Sequence, residues 1–160
     1  MLFFLFVSLL FSHPTSELNL TITPEKKVFQ SQEPIMLLIK VENKGNVPLQ
    51  LDSRFLPEAD EAFPGELTLL VTAPKERPLP FLPLFESSEL REEEIIKVLP
   101  RTSIERPLDL SNFFKLSIPG PYLVQVIYDT TTIQSSHTFW KGRLVSLPII
   151  FEIESPREKK

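Results

Sequence analysis

Residues 120–129 read Gly-Pro-Tyr-Leu-Val-Gln-Val-Ile-Tyr-Asp, and from Tyr122 the side chains alternate without a break. Tyr122, Val124, Val126 and Tyr128 fall on one face; Leu123, Gln125, Ile127 and Asp129 fall on the other. A period of two is the signature of a strand. A strand with so bulky an inward face needs a second layer to cover it, which makes it the central strand of a sandwich. Pro119-Gly120-Pro121, just before it, fixes φ at two residues and frees it at the one between, so the chain turns sharply into the strand. The approach, from Leu108 to Ile118, reads as a strand end and a one-turn crossing.

The rest of the composition agrees with short strands and many turns. The chain of 160 residues carries 16 prolines against 4 glycines. Proline is poorly tolerated in helix interiors and central strands, so these residues belong to turns, loops and edges. The length suits one domain with a real core. With no cysteine, disulfides, thiolate metal sites, a thiol nucleophile and a lipidated cysteine are excluded, and stability rests on the core alone. A net charge of -4 supplies no basic field for nucleic acid or an anionic membrane surface.

Residues 1–11, MLFFLFVSLLF, are almost wholly apolar, and Ser12-His13-Pro14-Thr15-Ser16 ends the run. The run is too short to span a bilayer as a helix, and residues 1–16 read as a secretory signal peptide, although no Lys or Arg precedes the run and no Ala-x-Ala cleavage site follows it. A membrane-tethering or buried N-terminal segment is the other reading. The expected organisation is therefore residues 1–16 as signal peptide, 17–154 as the folded domain in an extracytoplasmic compartment, and 155–160 as a frayed charged tail.

Alternation marks further strands. Leu18, Leu20 and Ile22 form one inward face, and Ile35, Leu37, Ile39 and Val41 another. Asn43-Lys44-Gly45-Asn46 is turn chemistry, and the spacing predicts a hairpin in which Val47–Leu51 returns beside the preceding strand. Leu67, Leu69 and Val71, then Ile96 and Val98, then Ile104–Leu110 make three more strands. Ser111 is expected to cap one turn while Phe113 and Phe114 close an end of the core. Val145, Leu147, Ile149, Phe151 and Ile153 alternate as the last strand, with Pro148 marking an edge or a bulge. The count is seven to nine short strands with turn signals between them and almost no helix.

Two stretches are candidates for contact with a partner. Pro78, Pro80 and Pro83 alternate with Leu79, Phe81, Leu82, Leu84 and Phe85, a composition that favours an extended polyproline ribbon. That ribbon either packs on the domain's own edge or is offered, through Pro80 and Phe81, as an extended ligand. The connection from Asp129 to Arg143, DTTTIQSSHTFWKGR, is the longest loop at its end of the sandwich. There Phe139, Trp140, Lys141 and Arg143 are candidate binding residues, Trp140 either anchoring a partner or covering the sandwich end.

Gly120 and Tyr122, with Leu116 and Ile118 upstream, resemble the tyrosine corner of Greek-key immunoglobulin-like domains, in which the hydroxyl bonds back to backbone a few residues earlier. The expected fold is an all-β, antiparallel immunoglobulin-like β-sandwich with Greek-key connections. The wider run from LPFLPLFE through VLPRTSIERPLDLSNFFKLSIPGPYLVQVIYD, with the ending FWKGRLVSLPIIFEI, resembles the noncatalytic immunoglobulin-like domain that accompanies deuterolysin-type metalloproteases and its bacterial relatives. That resemblance implies a companion module without the enzyme, because the His-Glu-x-x-His zinc helix is absent and the two histidines, His13 and His137, lie far apart.

His137 beside Ser135 and Ser136 does not make a triad. The acidic residues Asp52, Glu58, Asp60 and Glu61, and the run Glu86 to Glu94, show no ligand spacing. No cofactor or metal is expected. The sequence reads as a monomeric, non-enzymatic binding or accessory module whose partner is a protein or a cell-envelope component. The alternative is an inhibitor or chaperone-like partner of a secreted protease that uses the 78–85 ribbon.

Overall fold

The computed structural model describes residues 17–57, 66–75, 77–82 and 90–155. The segment expected to be a signal peptide and the tail beyond Ser155 lie outside these residues. The described strands are β1 (Leu18–Pro24), β2 (Val28–Gln30), β3 (Met36–Asn43), β4 (Leu49–Asp52), β5 (Leu67–Ala73), β6 (Arg77–Pro78), β7 (Ile95–Val98), β8 (Ser103–Asp109), β9 (Gly120–Asp129), β10 (Arg143–Val145) and β11 (Ile149–Glu154). Two single 3-10 turns, Glu92–Glu94 and Leu110–Asn112, are the helical elements among the described residues.

These strands make an all-β sandwich. One sheet has the order β1-β3-β8; the other runs β2-β11-β9-β5-β6, with β10 also paired to β9; a two-stranded ribbon, β4-β7, stands beside them. The ladders are antiparallel except that of β2 with β11, which is parallel. Chain neighbours β1 and β2, and again β8 and β9, sit in different sheets, so the connections arch over the ends in the Greek-key manner.

The predicted alternation of β9 is realised. Tyr122, Val124, Val126 and Tyr128 are all fully buried, against Leu67, Leu69 and Val71 of β5 on one side and Phe151 and Ile153 of β11 on the other. The opposing layer supplies Leu18, Leu20 and Ile22 of β1 and Leu37, Ile39 and Val41 of β3. Each such side chain withdraws about 1.5–3 kcal/mol worth of apolar surface from water. Inside, the Tyr122 ring stacks on Phe151 with centroids 5.4 Å apart, and Phe29 meets Phe151 edge-on at 5.4 Å.

At the start of β9 the Tyr122 hydroxyl donates to the Ile118 carbonyl at 2.8 Å and accepts from the Ile118 amide at 3.1 Å. Gly120 has φ +126°, and a Cβ there would sit 2.9 Å from Cγ of Pro74. Only glycine satisfies both conditions.

Three expectations need correction. β4 does not return beside β3, because both edges of β3 are already taken by β1 and β8. The chain instead continues past the turn and pairs with β7, so that β4-β7 extends the line of the β3-β8 ladder. Asn43, fully buried, bridges the break: its Nδ2 donates to the carbonyls of Val47 at 2.8 Å and Val98 at 3.1 Å, its Oδ1 accepts from the Gly45 amide, and its main chain bonds Thr102 and Arg101.

The last strand is likewise two. Val145 pairs with Ile127 and Ile149 with Val124, so the outer chain takes one step more than β9 across the gap. That extra residue is a bulge. It reverses the phase: Leu144 and Ser146 are buried while Val145 and Leu147 are exposed. Ser146 secures the bulge, with its Oγ accepting from the Val126 amide at 3.0 Å. Pro148 lies in this bulge, and β11 is not an edge strand, since β2 flanks it. Finally, Asp109 rather than Ser111 caps the 110–112 turn, its Oδ1 accepting from the Ser111 amide at 2.9 Å, and the Ser111 hydroxyl accepts from the Ile35 amide.

Replacing Asn43 by Ala leaves the Val47 and Val98 carbonyls without their donor. Urea unfolding is expected to show a loss of about 2–3 kcal/mol, with Lys44→Ala, one residue on, within about 0.5 kcal/mol of the parent. Equal small losses at the two positions would refute the bridging role.

Candidate functional site

Where β9 ends, Tyr128 organises a cluster. Its hydroxyl donates to the Asp52 carbonyl at 2.8 Å. Phe55 stacks on its ring at 5.2 Å with planes 29° apart, and Trp140 lies near-parallel to it at 6.1 Å and 10°. Phe55 is buried in a left-handed conformation, φ 54°, which a bulky residue adopts only where its surroundings dictate it.

The surroundings are a buried ion cluster. The Arg54 guanidinium donates to Asp52 Oδ2 at 2.8 Å through Nη2 and to Oδ1 at 3.2 Å through Nε, and pairs with Glu66 Oε1. Glu66 Oε2 accepts from the Leu56 amide at 2.8 Å, and its carbonyl accepts from the Asp129 amide. Asp52 and Glu66 are fully buried, a state that charged carboxylates reach only when paired. Burial, and then the charge of Asp52, push the Glu66 carboxyl up to about 7, against the pull of Arg54. Burial also raises the Tyr128 hydroxyl far above its ordinary range, so it remains a donor.

The 130–142 loop closes over this end. Buried Thr130 pins its neck: the amide donates to the Gly142 carbonyl at 3.0 Å and Oγ1 donates to the Trp140 carbonyl at 2.8 Å. The Trp140 amide donates to the Gln50 carbonyl of β4 at 2.7 Å, which fixes the loop against the ribbon. The indole then lies so close to Gly142 that a Cβ there would meet its ring carbon Cζ2 at 2.3 Å.

Phe139 turns inward into a second small core with Leu90 and Ile133, packed by Ile95. The Lys141 ammonium sits 4.1 Å from the centroid of the Phe139 ring and donates to the Ile133 carbonyl, and burial lowers its pKa. Trp140 stays half-buried. Beside it a groove of about 530 Å³ runs between the ribbon, with Pro48, Gln50 and Lys97, and the loop, with Thr138 and Trp140. Its aromatic wall, amide and ammonium offer stacking, hydrogen bonding and charge; they hold no nucleophile–base pair.

The residues singled out in the sequence separate. Phe139, Trp140 and Lys141 come together; Phe139 is buried against Leu90 and Ile133 and, with Trp140, also lines the groove. Arg143 leaves the loop for β10, its Nε 3.9 Å from Asp129 Oδ2. Gly120 and Tyr122 lie at the opposite end of β9. There too are Pro80, exposed, and Phe81, whose ring stacks on Phe113 at 5.6 Å and meets Phe114 edge-on at 5.6 Å, while the Leu82 amide donates to the Phe113 carbonyl. The ribbon's described part thus packs on its own core; Pro83, Leu84 and Phe85 lie outside the described residues.

So do Glu58, Asp60, Glu61, Glu86 and Glu89. Of the acidic run, Glu94 and Glu93 pair with Arg91 at 2.9 and 3.2 Å. The amide of half-buried His137 donates to Ser135 Oγ. No group of three His, Cys, Asp or Glu side chains suited to a metal ion occurs among the described residues. Sequence reasoning missed Gln50, Lys97 and the Asp52–Arg54–Glu66 cluster, which only the folded topology assembles.

Because folding raises the Glu66 pKa from 4.5 to about 7, the folded state holds a proton there that the unfolded chain has lost. The sign is therefore that this group's contribution is full below about pH 4.5 and fades as pH rises through 7. The stability of the parent relative to Glu66→Gln is expected to fall by on the order of 2 kcal/mol between pH 5 and 8, read from paired urea titrations. A difference independent of pH, or one that grows, would contradict the assignment.

No family model matches the chain, and no curated protein matches it. Among solved structures it is similar to a CARDB domain from Pyrococcus furiosus determined in complex with di-metal ions, at 10% sequence identity and a TM-score of 0.43, over 87% of this chain and 94% of that one.

Proposed function

We propose that this protein is an extracytoplasmic, non-enzymatic binding module that holds a protein or cell-envelope partner in the groove between the β4-β7 ribbon and the 138–140 segment. The observation that carries the reading is the setting of Trp140: its indole is held between its stack on Tyr128 and the backbone at Gly142, its main chain is fixed on Gln50, and the residue lines the groove. An aromatic side chain already held rigid by its own domain where it lines a groove loses little entropy on binding, which is what makes tryptophan a frequent hot spot.

Secretion follows from reading residues 1–16 as a signal peptide, and the resemblance to companion domains of deuterolysin-type metalloproteases fits a module that works beside another protein. The inhibitor reading, through the 78–85 ribbon, is the weaker one because Phe81 is engaged by Phe113 and Phe114.

The test is a pull-down from the source organism's envelope and culture fluid, with Trp140→Ala, Lys97→Glu and Phe81→Ala alongside the native protein and thermal melts to verify folding. One protein retained by the native chain and by Phe81→Ala, and weakened at least about tenfold by Trp140→Ala and Lys97→Glu, is the expected result. Retention lost with Phe81→Ala but kept by the groove variants would transfer the function to the ribbon.

A further inference from the structure

We infer that the buried cluster beneath the groove is a proton-operated latch: a proton shared by Asp52 and Glu66 holds the 54–56 turn against Tyr128, and its release loosens the wall that Trp140 forms. The count of charges comes first. Asp52 and Glu66 are fully buried, and the guanidinium of Arg54, itself almost wholly shielded, pairs with both. The two carboxyl groups are also in hydrogen-bond contact with each other. Two carboxylates cannot make that contact. A carboxyl and a carboxylate can, and the pair then balances the single guanidinium. With both ionised, the same space holds an uncompensated negative charge and two like charges side by side.

Among the described residues, the other charged groups around the cluster are engaged elsewhere. Glu94, whose charge reaches Arg54, pairs with Arg91 at 2.9 Å. The Asp129 carboxylate accepts from Thr131 and faces Arg143. Lys141 feels the charge of Asp52 from the loop, but its ammonium donates to the Ile133 carbonyl and lies over Phe139. The Arg106 guanidinium donates to the Ser53 and Glu105 carbonyls, and the Tyr128 hydroxyl stays a neutral donor. Burial and the charge of Asp52 push the Glu66 carboxyl up to about 7, so the shared proton leaves as the pH crosses neutrality.

The geometry decides what gives way. Asp52 sits in the β4 ladder with its carbonyl held by Tyr128, and the Glu66 carbonyl is held by the Asp129 amide. Between them Phe55 has φ 54°, which a bulky residue keeps only while its surroundings over-determine it. The cluster grips the chain on both sides of Phe55. Asp52 Oδ1 accepts from the Arg54 amide at 3.0 Å, and Glu66 Oε2 accepts from the Leu56 amide at 2.8 Å. These two grips end on the very carboxyls that repel each other once the proton is lost. As they part, Phe55 is freed from its left-handed conformation and from the Tyr128 ring, and Trp140, stacked on the same ring, loses its backing. The latch is closed below about pH 7 and opens above it. Control of a partner by this latch rests on the groove being a binding site; the latch itself does not.

Trp140 is the only tryptophan of the chain, so indole emission of the purified, folded protein reads the wall directly, with no partner present. From about pH 5 to about pH 9, emission is expected to move to longer wavelength in one step centred near pH 7, as the indole gains water, while far-UV circular dichroism stays constant. Glu66→Gln should abolish the step and keep the low-pH emission throughout. Asp52→Asn, which leaves Glu66 alone with Arg54, should move the step down by at least about one pH unit. His137→Gln, which removes the histidine of the same loop, should leave the step in place. Emission that does not change with pH in the native protein, a step that survives Glu66→Gln, or one that vanishes with His137→Gln would overturn the inference. A titrating Trp140 in a protein that captures no partner would uphold the latch and overturn only the role of the groove.

Discussion

Two buried tyrosines on β9 hold opposite ends of the molecule. Tyr122 ties the incoming chain at Ile118, and Tyr128 ties the Asp52 backbone where the ribbon passes. Both rings belong to the packed inward face and both hydroxyls end on main-chain carbonyls, so each residue combines apolar burial with a hydrogen bond whose loss would strand a buried group. Between them Val124 and Val126 complete the face, and β5, β10 and β11 all pair with this one strand. The position of every other element in the larger sheet is therefore set relative to β9.

The far tyrosine also links fold to site. Phe55 and Trp140 both rest on its ring, so the 54–56 turn and the 130–142 loop are indexed to the same residue. Beneath them Arg54 stands between two carboxylates, and Glu66 reaches the turn through Leu56 and the end of β9 through Asp129. Such a cluster contributes little net stability relative to a well-packed apolar substitute, but its geometry is specific. A rigid floor holds the groove wall in place, so a partner of the kind proposed would bind at a lower entropic cost.

Much of this frame was legible as alternation. β1, β3, β5 and β9 each show an unbroken inward face, and the Pro-Gly-Pro corner announced the turn that Gly120 makes with positive φ. What was hidden depended on neighbours distant in the chain. The turn after Asn43 carries hairpin chemistry, yet a hairpin needs a free edge, and β8, about sixty residues later, occupies it. Likewise Pro148 marked an edge or a bulge in the run from Val145 to Ile153, but not the change of phase that the extra residue brings. Only the buried Ser146, bonded to Val126, reveals the change of phase. At the site, the aromatic pair Phe139-Trp140 marked the loop but not its packing: Phe139 is buried in a satellite core, and both residues line the groove. Arg54 and Glu66 gave no signal, since charged residues in a connection are ordinarily solvated.

The dependence of the structure on β9 is open to one direct measurement, native-state amide hydrogen exchange followed residue by residue. The amides of Val124, Val126 and Tyr128 are predicted to be among the slowest in the molecule and to exchange only through global unfolding, with the 130–142 loop opening at lower free energy above them. If instead these amides exchange well before those of β3 and β8, the smaller sheet is the stable unit, and β9 is a strand laid upon it rather than the element that positions the rest.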